Sequence, residues 1–502
     1  MKKFLSLCLL LLLNAAVIYS QNIYQTNEVK LKIPFKVSWE YKANDIIVNQ
    51  HITGNICYVN TVNGIAAISL NDGKIIWNYS YPAFPLLKSV ATFSDKNVAF
   101  TAYDYNDSSE IGISKLTLVD LSNGKEVWSI ESKERFYKPT PFITDNSVIC
   151  ISGPPDDWKV KEKYFKIELD EAELIAHSLT DGKEIWKASI SDEESELIYA
   201  DNKYAFIKHD FDVSKGGVPK NKLSAYSSSN GKELWTYDPS GMITKSSVDK
   251  IMIDGDNLYV APLSGKSGVV ALLNLLDGDE KWSLGAGVDN FYLMGTKLIY
   301  YGLNTDFGMG NSTDWMCADV QEGKRIVGKH ISSSGMFNAI VGKAFGNTVF
   351  GRIAATFSGY SNLFSKLFGS DDYAPLIIPT RAMYSDLLNY SAVNEKGLFA
   401  IYFEDGKPVF LKVDNPPKED IQTEYKFADA TSNAFIANGT SETSAFITVR
   451  GKVYSINYST GQIEWEKDLT NDRSIASLGL IIKGNRLILF TNNSVDCLEN
   501  AQ

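Results

Sequence analysis

The sequence has few of the residues from which chemistry is usually read. Five cysteines and four histidines occur in 502 residues, with no Cys-x-x-Cys pair and no two cysteines adjacent. The common zinc and redox-disulfide spacings are therefore excluded. No GxSxG elbow, HExxH motif or phosphate-binding glycine loop is present, so no catalytic residue is assigned. Basic clusters are missing as well. The formal net charge is −11, an acidic balance that argues against nucleic acid and anionic membrane surfaces as partners. Proline is scarce at 15 residues while aromatics reach 12%, the composition of a packed β protein and not of a disordered chain.

Long apolar runs are confined to the start. Lys2 and Lys3 precede a run from Phe4 to Ile18, and Ser20 supplies a small residue behind it. Two positive charges before an apolar stretch too short to span comfortably predict a cleavable secretory signal over residues 1–20. The exported chain, periplasmic or extracellular, then begins near Gln21, and losing both lysines takes its charge from −11 to −13. Cys8 precedes Leu9 to Leu13, the wrong side of the run for a lipid-anchored cysteine. No later segment has the length and apolarity of a membrane span. Cys57, Cys150, Cys317 and Cys497 lie in apolar strand patterns far apart in the chain, and are expected as buried, unpaired thiols.

What is abundant is a repeat. It reads Ala67-Ile-Ser-Leu-Asn-Asp-Gly-Lys-Ile-Ile-Trp77, then Leu118-Val-Asp-Leu-Ser-Asn-Gly-Lys-Glu-Val-Trp128. Ala176 to Trp186 and Ala225 to Trp235 are equally good copies. Leu272 to Trp282 and Ser455 to Trp465 are weaker, and a degenerate copy, Cys317 to Val327, has valine in place of tryptophan. Four residues before each glycine stands a short polar residue (Ser69, Asp120, Ser178, Ser227, Asn274, Asp319, Asn457) able to bond the backbone of a turn. The glycines Gly73, Gly124, Gly182, Gly231, Gly278 and Gly461 supply the positive φ of a tight hairpin. Four residues later come Trp77, Trp128, Trp186, Trp235, Trp282 and Trp465, each a large wedge to bury in the following strand.

A second hairpin lies upstream of each copy, as in Ile251 to Val260 around Asp254-Gly255-Asp256-Asn257. Two hairpins make four antiparallel strands, and the first five tryptophans follow at intervals of 51, 58, 49 and 47 residues. That spacing is the signature of a propeller blade. The fold expected is all-β, a single closed β-propeller of four-stranded antiparallel blades over residues 21–502 as one domain. Ring closure is also legible: Ser494 to Leu498 ends the chain as a third strand, and Phe35 to Trp39 looks like its missing fourth.

These copies resemble the Ala-x-Asp-x-x-x-Gly-Lys-x-x-Trp repeat of pyrroloquinoline-quinone-type propellers, over roughly residues 31 to 500. The family includes quinoprotein dehydrogenases and the non-catalytic scaffold propeller of the outer-membrane protein assembly machinery. The resemblance implies eight blades; the hairpins counted here give eight or nine, because residues 328–430 align in more than one way. Asp405-Gly406 is best taken as an earlier turn, with Val413-Asp414 in the third strand. Catalysis in the dehydrogenase branch needs adjacent cysteines against the quinone, and this sequence has none, so the resemblance is nearer the scaffold and no cofactor or metal is assigned. The function expected is a non-enzymatic, protein-binding scaffold. Its alternatives are a quinone-dependent oxidoreductase or a carbohydrate- or peptide-binding surface protein.

Histidines 51, 177, 209 and 330 fall in different repeats, and His177 takes an ordinary strand position. Departures from the repeat are the charged insertion Asp156 to Glu173, the loop Asp212 to Lys222, the polar Gly-rich loop Asn304 to Asp314, and an irregular insertion around 329–390. Within the last, Tyr360, Leu363, Phe364, Leu367 and Phe368 recur at helical spacing, so Ser358 to Gly369 predicts an amphipathic helix whose apolar face is covered either by the propeller itself or by a partner's groove or sheet edge.

Overall fold

The computed structural model describes the strands and tight turns between residues 35 and 500; residues 1–34, 333–390 and several connections, including 106–110, 155–168, 210–221 and 264–268, lie outside the described residues. The helix expected at 358–369 falls among the latter. All elements described are β-strands, and no described helix is long and apolar enough to cross a membrane.

Among the described residues the strands form nine antiparallel sheets, eight of them laid down in chain order. The first comprises Ile47–Thr53, Ile56–Thr61, Gly64–Ser69 and Ile75–Ser80. The second and third follow the same order, but two short pieces stand where a continuous first strand would be. Glu196–Ala200, Tyr204–His209, Lys222–Ser227 and Glu233–Tyr237 form the fourth sheet. The fifth runs from Ser247–Asp254 to Glu280–Gly285. One compact unit holds Val48–Gly285, and a second holds Ala286–Gln502 with the N-terminal strand.

Why these residues make these strands is visible in their burial. The second and third strands are buried on both faces: Ser147–Gly153 throughout, and Glu173–Ser178 and Lys222–Ser227 at all but their ends. A strand covered on both faces reads as a continuous apolar run. The cover comes from neighbouring sheets. Phe100 and Val98 of the second sheet share a core with Ala67 and Tyr58 of the first, and Ala205 and Ile207 of the fourth share one with Ile149 and Leu174 of the third. Fourth strands are different. Ile75–Ser80 and Glu184–Ser189 alternate exposed and half-buried, because each is a sheet edge.

In the second unit, the degenerate copy folds like the others. Gly323 has φ 61°, its N–H donates to the Asp319 carbonyl at 3.0 Å, and Val327 pairs with Cys317 where tryptophan pairs elsewhere. Gly397–Glu404 and Lys407–Asp414 are the second and third strands of the seventh sheet, as expected for Val413-Asp414, while Asp405-Gly406 lies outside the described residues. The stretch Asn304 to Asp314, expected as a loop, is instead largely strand. Lys297–Asp306 pairs with Gly310–Asp319 as far as Asp306 opposite Gly310. Polar and glycine content suggested a turn, but ladder pairing satisfies the backbone whatever the side chains are.

The ninth sheet is assembled from both ends of the described chain. Phe35–Lys42 pairs antiparallel with Ser494–Asn500 as its fourth strand, from Phe35 opposite Asn500 to Lys42 opposite Ser494. Phe35 also meets Trp465 of the eighth sheet edge-on, with ring centroids 5.1 Å apart.

Candidate functional site

An antiparallel four-stranded sheet has two unlike ends. The turns joining strands one to two and three to four share one end; the two-to-three connection and the link to the next sheet share the other. Here the ends differ in chemistry.

At the first end the repeat glycines and tryptophans meet. Trp77 Nε1 donates to the Leu121 carbonyl at 3.0 Å, Trp128 to Leu179 at 3.1 Å, Trp186 to Ser228 at 3.0 Å and Trp235 to Leu275 at 3.0 Å. Each acceptor lies in the three-to-four turn of the next sheet. The N–H of the same residue donates to that sheet's other turn, Leu121 to the Lys96 carbonyl and Leu179 to the Asn146 carbonyl. One peptide segment thus joins two turns of its own sheet and the indole of the sheet before.

The indole lies on the glycine. Gly124 has φ 69°, and a Cβ there would come 2.5 Å from the Trp77 ring; Gly182, at φ 70°, would bring one 3.0 Å from Trp128. Gly231 faces Trp186 and Gly278 faces Trp235 in the same way. The glycine is required for two reasons, and the sequence showed only the positive φ. Gly73 keeps the conformation at φ 69°. Inside each described turn the glycine N–H returns to the short polar residue's carbonyl, as Gly182 does to Ser178 at 3.0 Å. The side chain of that polar residue accepts a further backbone N–H, as Asp120 does from Ser122 at 2.7 Å.

A bulge aims the indole. Ala176 pairs with Trp186 but His177 pairs with Glu184, which leaves Ile185 as the extra residue. The same shift precedes Trp77, Trp128, Trp235, Trp282 and Trp465. The extra residue turns outward, so Ile185 is 50% exposed and Val127 41%, while Trp128 is 8% exposed. Bulges re-aim side chains and blunt edge strands. Nothing in the sequence pattern marked this device. Trp282 stands 6.2 Å from Tyr259, and Gly461 lies outside the described residues.

The opposite end of the second to fourth sheets gathers buried and half-buried polar groups. Lys115 is buried and reaches Glu131 at 3.1 Å. The Arg135 guanidinium bonds Glu173, which Lys187 also meets at 3.1 Å. Burial pushes the Glu173 carboxyl up, but the two cations outweigh it and hold the group below the usual range. Lys208 pairs with Glu196 at 3.1 Å and holds that carboxyl low too. Lys138 crosses from the third sheet to donate to the Ser195 carbonyl at 2.6 Å. Two residues on, Thr140 has φ 73°, a conformation a β-branched residue rarely takes.

His209 lies at the centre of the fourth sheet's share of this end. Its Nδ1 is 2.8 Å from Ser195 Oγ, its Nε2 is 2.9 Å from Ser224 Oγ, and Ser224 Oγ is 2.7 Å from Thr236 Oγ1. The chain of bonds ties all four strands together. Burial lowers the His209 pKa to about 4. A hydroxyl on an imidazole is the start of a nucleophile–base pair. Here, however, Ser195 is fully buried and a hydroxyl, not a carboxylate, stands beyond the ring. The group is a brace. Sequence inspection missed it, because these residues are brought together only by strand register. His177 sits apart, with Nδ1 3.0 Å from the Gly182 carbonyl.

Of the cysteines, Cys57, Cys150 and Cys497 are free and buried, and burial pushes the Cys150 and Cys497 thiols up to about 12. No described cluster of three His, Cys, Asp or Glu could hold a metal ion.

Comparison with known proteins adds a family likeness. Residues 114–344 match the family model described as outer membrane protein assembly factor BamB. A solved structure titled "Crystal structure of the eukaryotic initiation factor" is similar at a TM-score of 0.50 and 10% identity, covering 88% of this chain and 90% of that one; this likeness is one of fold alone. Another, "Structure of Dos1 propeller", has a TM-score of 0.46 and 8% identity, with 97% of each chain covered. No curated protein sequence matches. Over residues 114–344 the chain is similar to the outer membrane protein assembly factor BamB, and its repeats resemble those of pyrroloquinoline-quinone-type propellers.

Proposed function

We propose that this chain is an exported, non-enzymatic propeller that acts as a protein-binding scaffold. Residues 1–20 serve as its secretory signal, and the nine sheets are blades of one ring closed by Phe35–Lys42. The likeness of residues 114–344 to an outer membrane assembly factor carries this reading. The ninth sheet, built from both ends of the described chain, supports the closure. Indole-on-glycine contacts support structural roles for the repeat residues, which leaves recognition to the opposite end. There the two-to-three connections of the third and fourth sheets are longer than the tight turns, with nineteen residues between Gly153 and Glu173 and twelve between His209 and Lys222. Recognition concentrates on connections held by a rigid frame.

Photo-crosslinking amino acids at exposed Lys133 or Glu171, beside those connections, test this in the exporting cell against exposed Asn71 or Asn123 in the tight turns. A discrete protein adduct from the first pair alone is the expected result. Adducts from the tight-turn pair alone would place recognition at the wrong end. Dye reduction of alcohols or sugars that depends on added pyrroloquinoline quinone and calcium would overturn the non-enzymatic assignment.

A further inference from the structure

The N-terminal strand is held to its sheet by one ladder, and an acidic pair lies across it. Glu40 of Phe35–Lys42 is directly opposite Asp496 of Ser494–Asn500. Directly opposed residues put their side chains on the same face, where like charges are destabilising. Exposed Glu40 has Lys42 for a partner at 3.5 Å. Asp496 is less well placed, since its Oδ1 is buried and has no hydrogen-bond partner. A buried carboxylate oxygen with no donor is costly ionised and tolerable protonated.

We propose that the Glu40–Asp496 pair makes the attachment of the N-terminal strand pH-sensitive, firm when Asp496 is protonated and loosened when it ionises. The charged groups facing Asp496 come from three sides: Glu40 and Lys42 on the N-terminal strand, and Lys467 on the edge strand of the eighth sheet, with the Ser494 hydroxyl on its own strand. Burial first, then Glu40, raises its pKa to about 6; Ser494, Lys467 and Lys42 act in the opposite direction without cancelling the rise. A group raised in the closed state adds stability that is complete below its ordinary value of 3.8 and is lost as pH rises through about 6. Two pKa units correspond to roughly a hundredfold change in the opening equilibrium. The switch works opposite to ordinary acid denaturation, and it belongs to the strand seam, independent of any partner.

Hydrogen exchange of Phe35–Lys42 in the full chain, corrected for the intrinsic pH dependence of exchange, reads the opening directly. Protection is expected to fall roughly tenfold to a hundredfold between pH 4.5 and 7.5, and to become flat over that range in Asp496→Asn. Glu40→Gln changes an exposed residue and leaves folding intact, so it serves as the second variant, with the midpoint moving to lower pH. Protection that is pH-independent in the wild type, or that falls equally in Asp496→Asn, overturns the proposal. An unmoved midpoint in Glu40→Gln overturns the role of the pair.

Discussion

The two ends of the sheets in the unit Val48–Gly285 are fastened with different chemistry. At the tight-turn end each tie is an indole on a glycine and a neutral hydrogen bond, repeated at Trp77, Trp128, Trp186 and Trp235. At the opposite end the ties are individual: Lys138 crosses from the third sheet to the Ser195 carbonyl, while Arg135 and Lys187 on Glu173 brace the third sheet and His209 between two serines braces the fourth. Neutral, apolar ties do not change with pH, whereas buried charges and imidazoles do. A repeated device also leaves no position special, so the end without it is the one free to diverge.

The comparison breaks most easily at the tight end. Trp128→Ala removes a buried indole and its bond to Leu179, and is expected to cost about 3–5 kcal/mol, read as a fall in denaturation midpoint. An unchanged midpoint would mean that the tie does not hold the sheets. Gly182→Ala is expected to cost about 2–4 kcal/mol, the sum of an unfavourable backbone and overpacking against Trp128. Gly255→Ala is its control. Gly255 has φ 59° but nothing within reach of an added Cβ, so only the backbone penalty of about 1–2 kcal/mol applies. Equal losses at the two sites would show that the indole contact adds nothing.

The polar end is sharpened by pH. The His209 pKa is lowered to about 4 in the folded chain, so the unfolded chain binds the proton first. Its stabilisation is whole above the ordinary value of 6.5 and drains away as pH falls toward 4. Between pH 7.5 and 4.5 the wild type is expected to lose about 2 kcal/mol more than His209→Gln, measured by chemical denaturation at each pH. Parallel losses would remove His209 from the acid response. The smallest effect is expected at the bulge. Ile185 is apolar but points outward, so Ile185→Ser should stay within about 0.5 kcal/mol of wild type. A larger loss would mean that the bulge residue belongs to the core.

Much of the frame was determined by the sequence alone. Short polar residue, glycine and tryptophan recur at fixed spacing because every sheet meets the same neighbour in the same way, and a local turn can be read locally. Phe35 to Trp39 could be matched to Ser494 through Leu498 because each lacked the partner that the repeat demands. Three things needed the tertiary structure. The bulge before each tryptophan depends on cross-strand register, which a linear pattern does not display. The second role of the glycines depends on an indole 43 to 54 residues away in the preceding sheet. The His209 brace and the Glu40–Asp496 pair depend on groups up to 456 positions apart. Sequence encodes what neighbours along the chain must do, while a charge buried beside another is decided only when the strands have paired and water has been excluded.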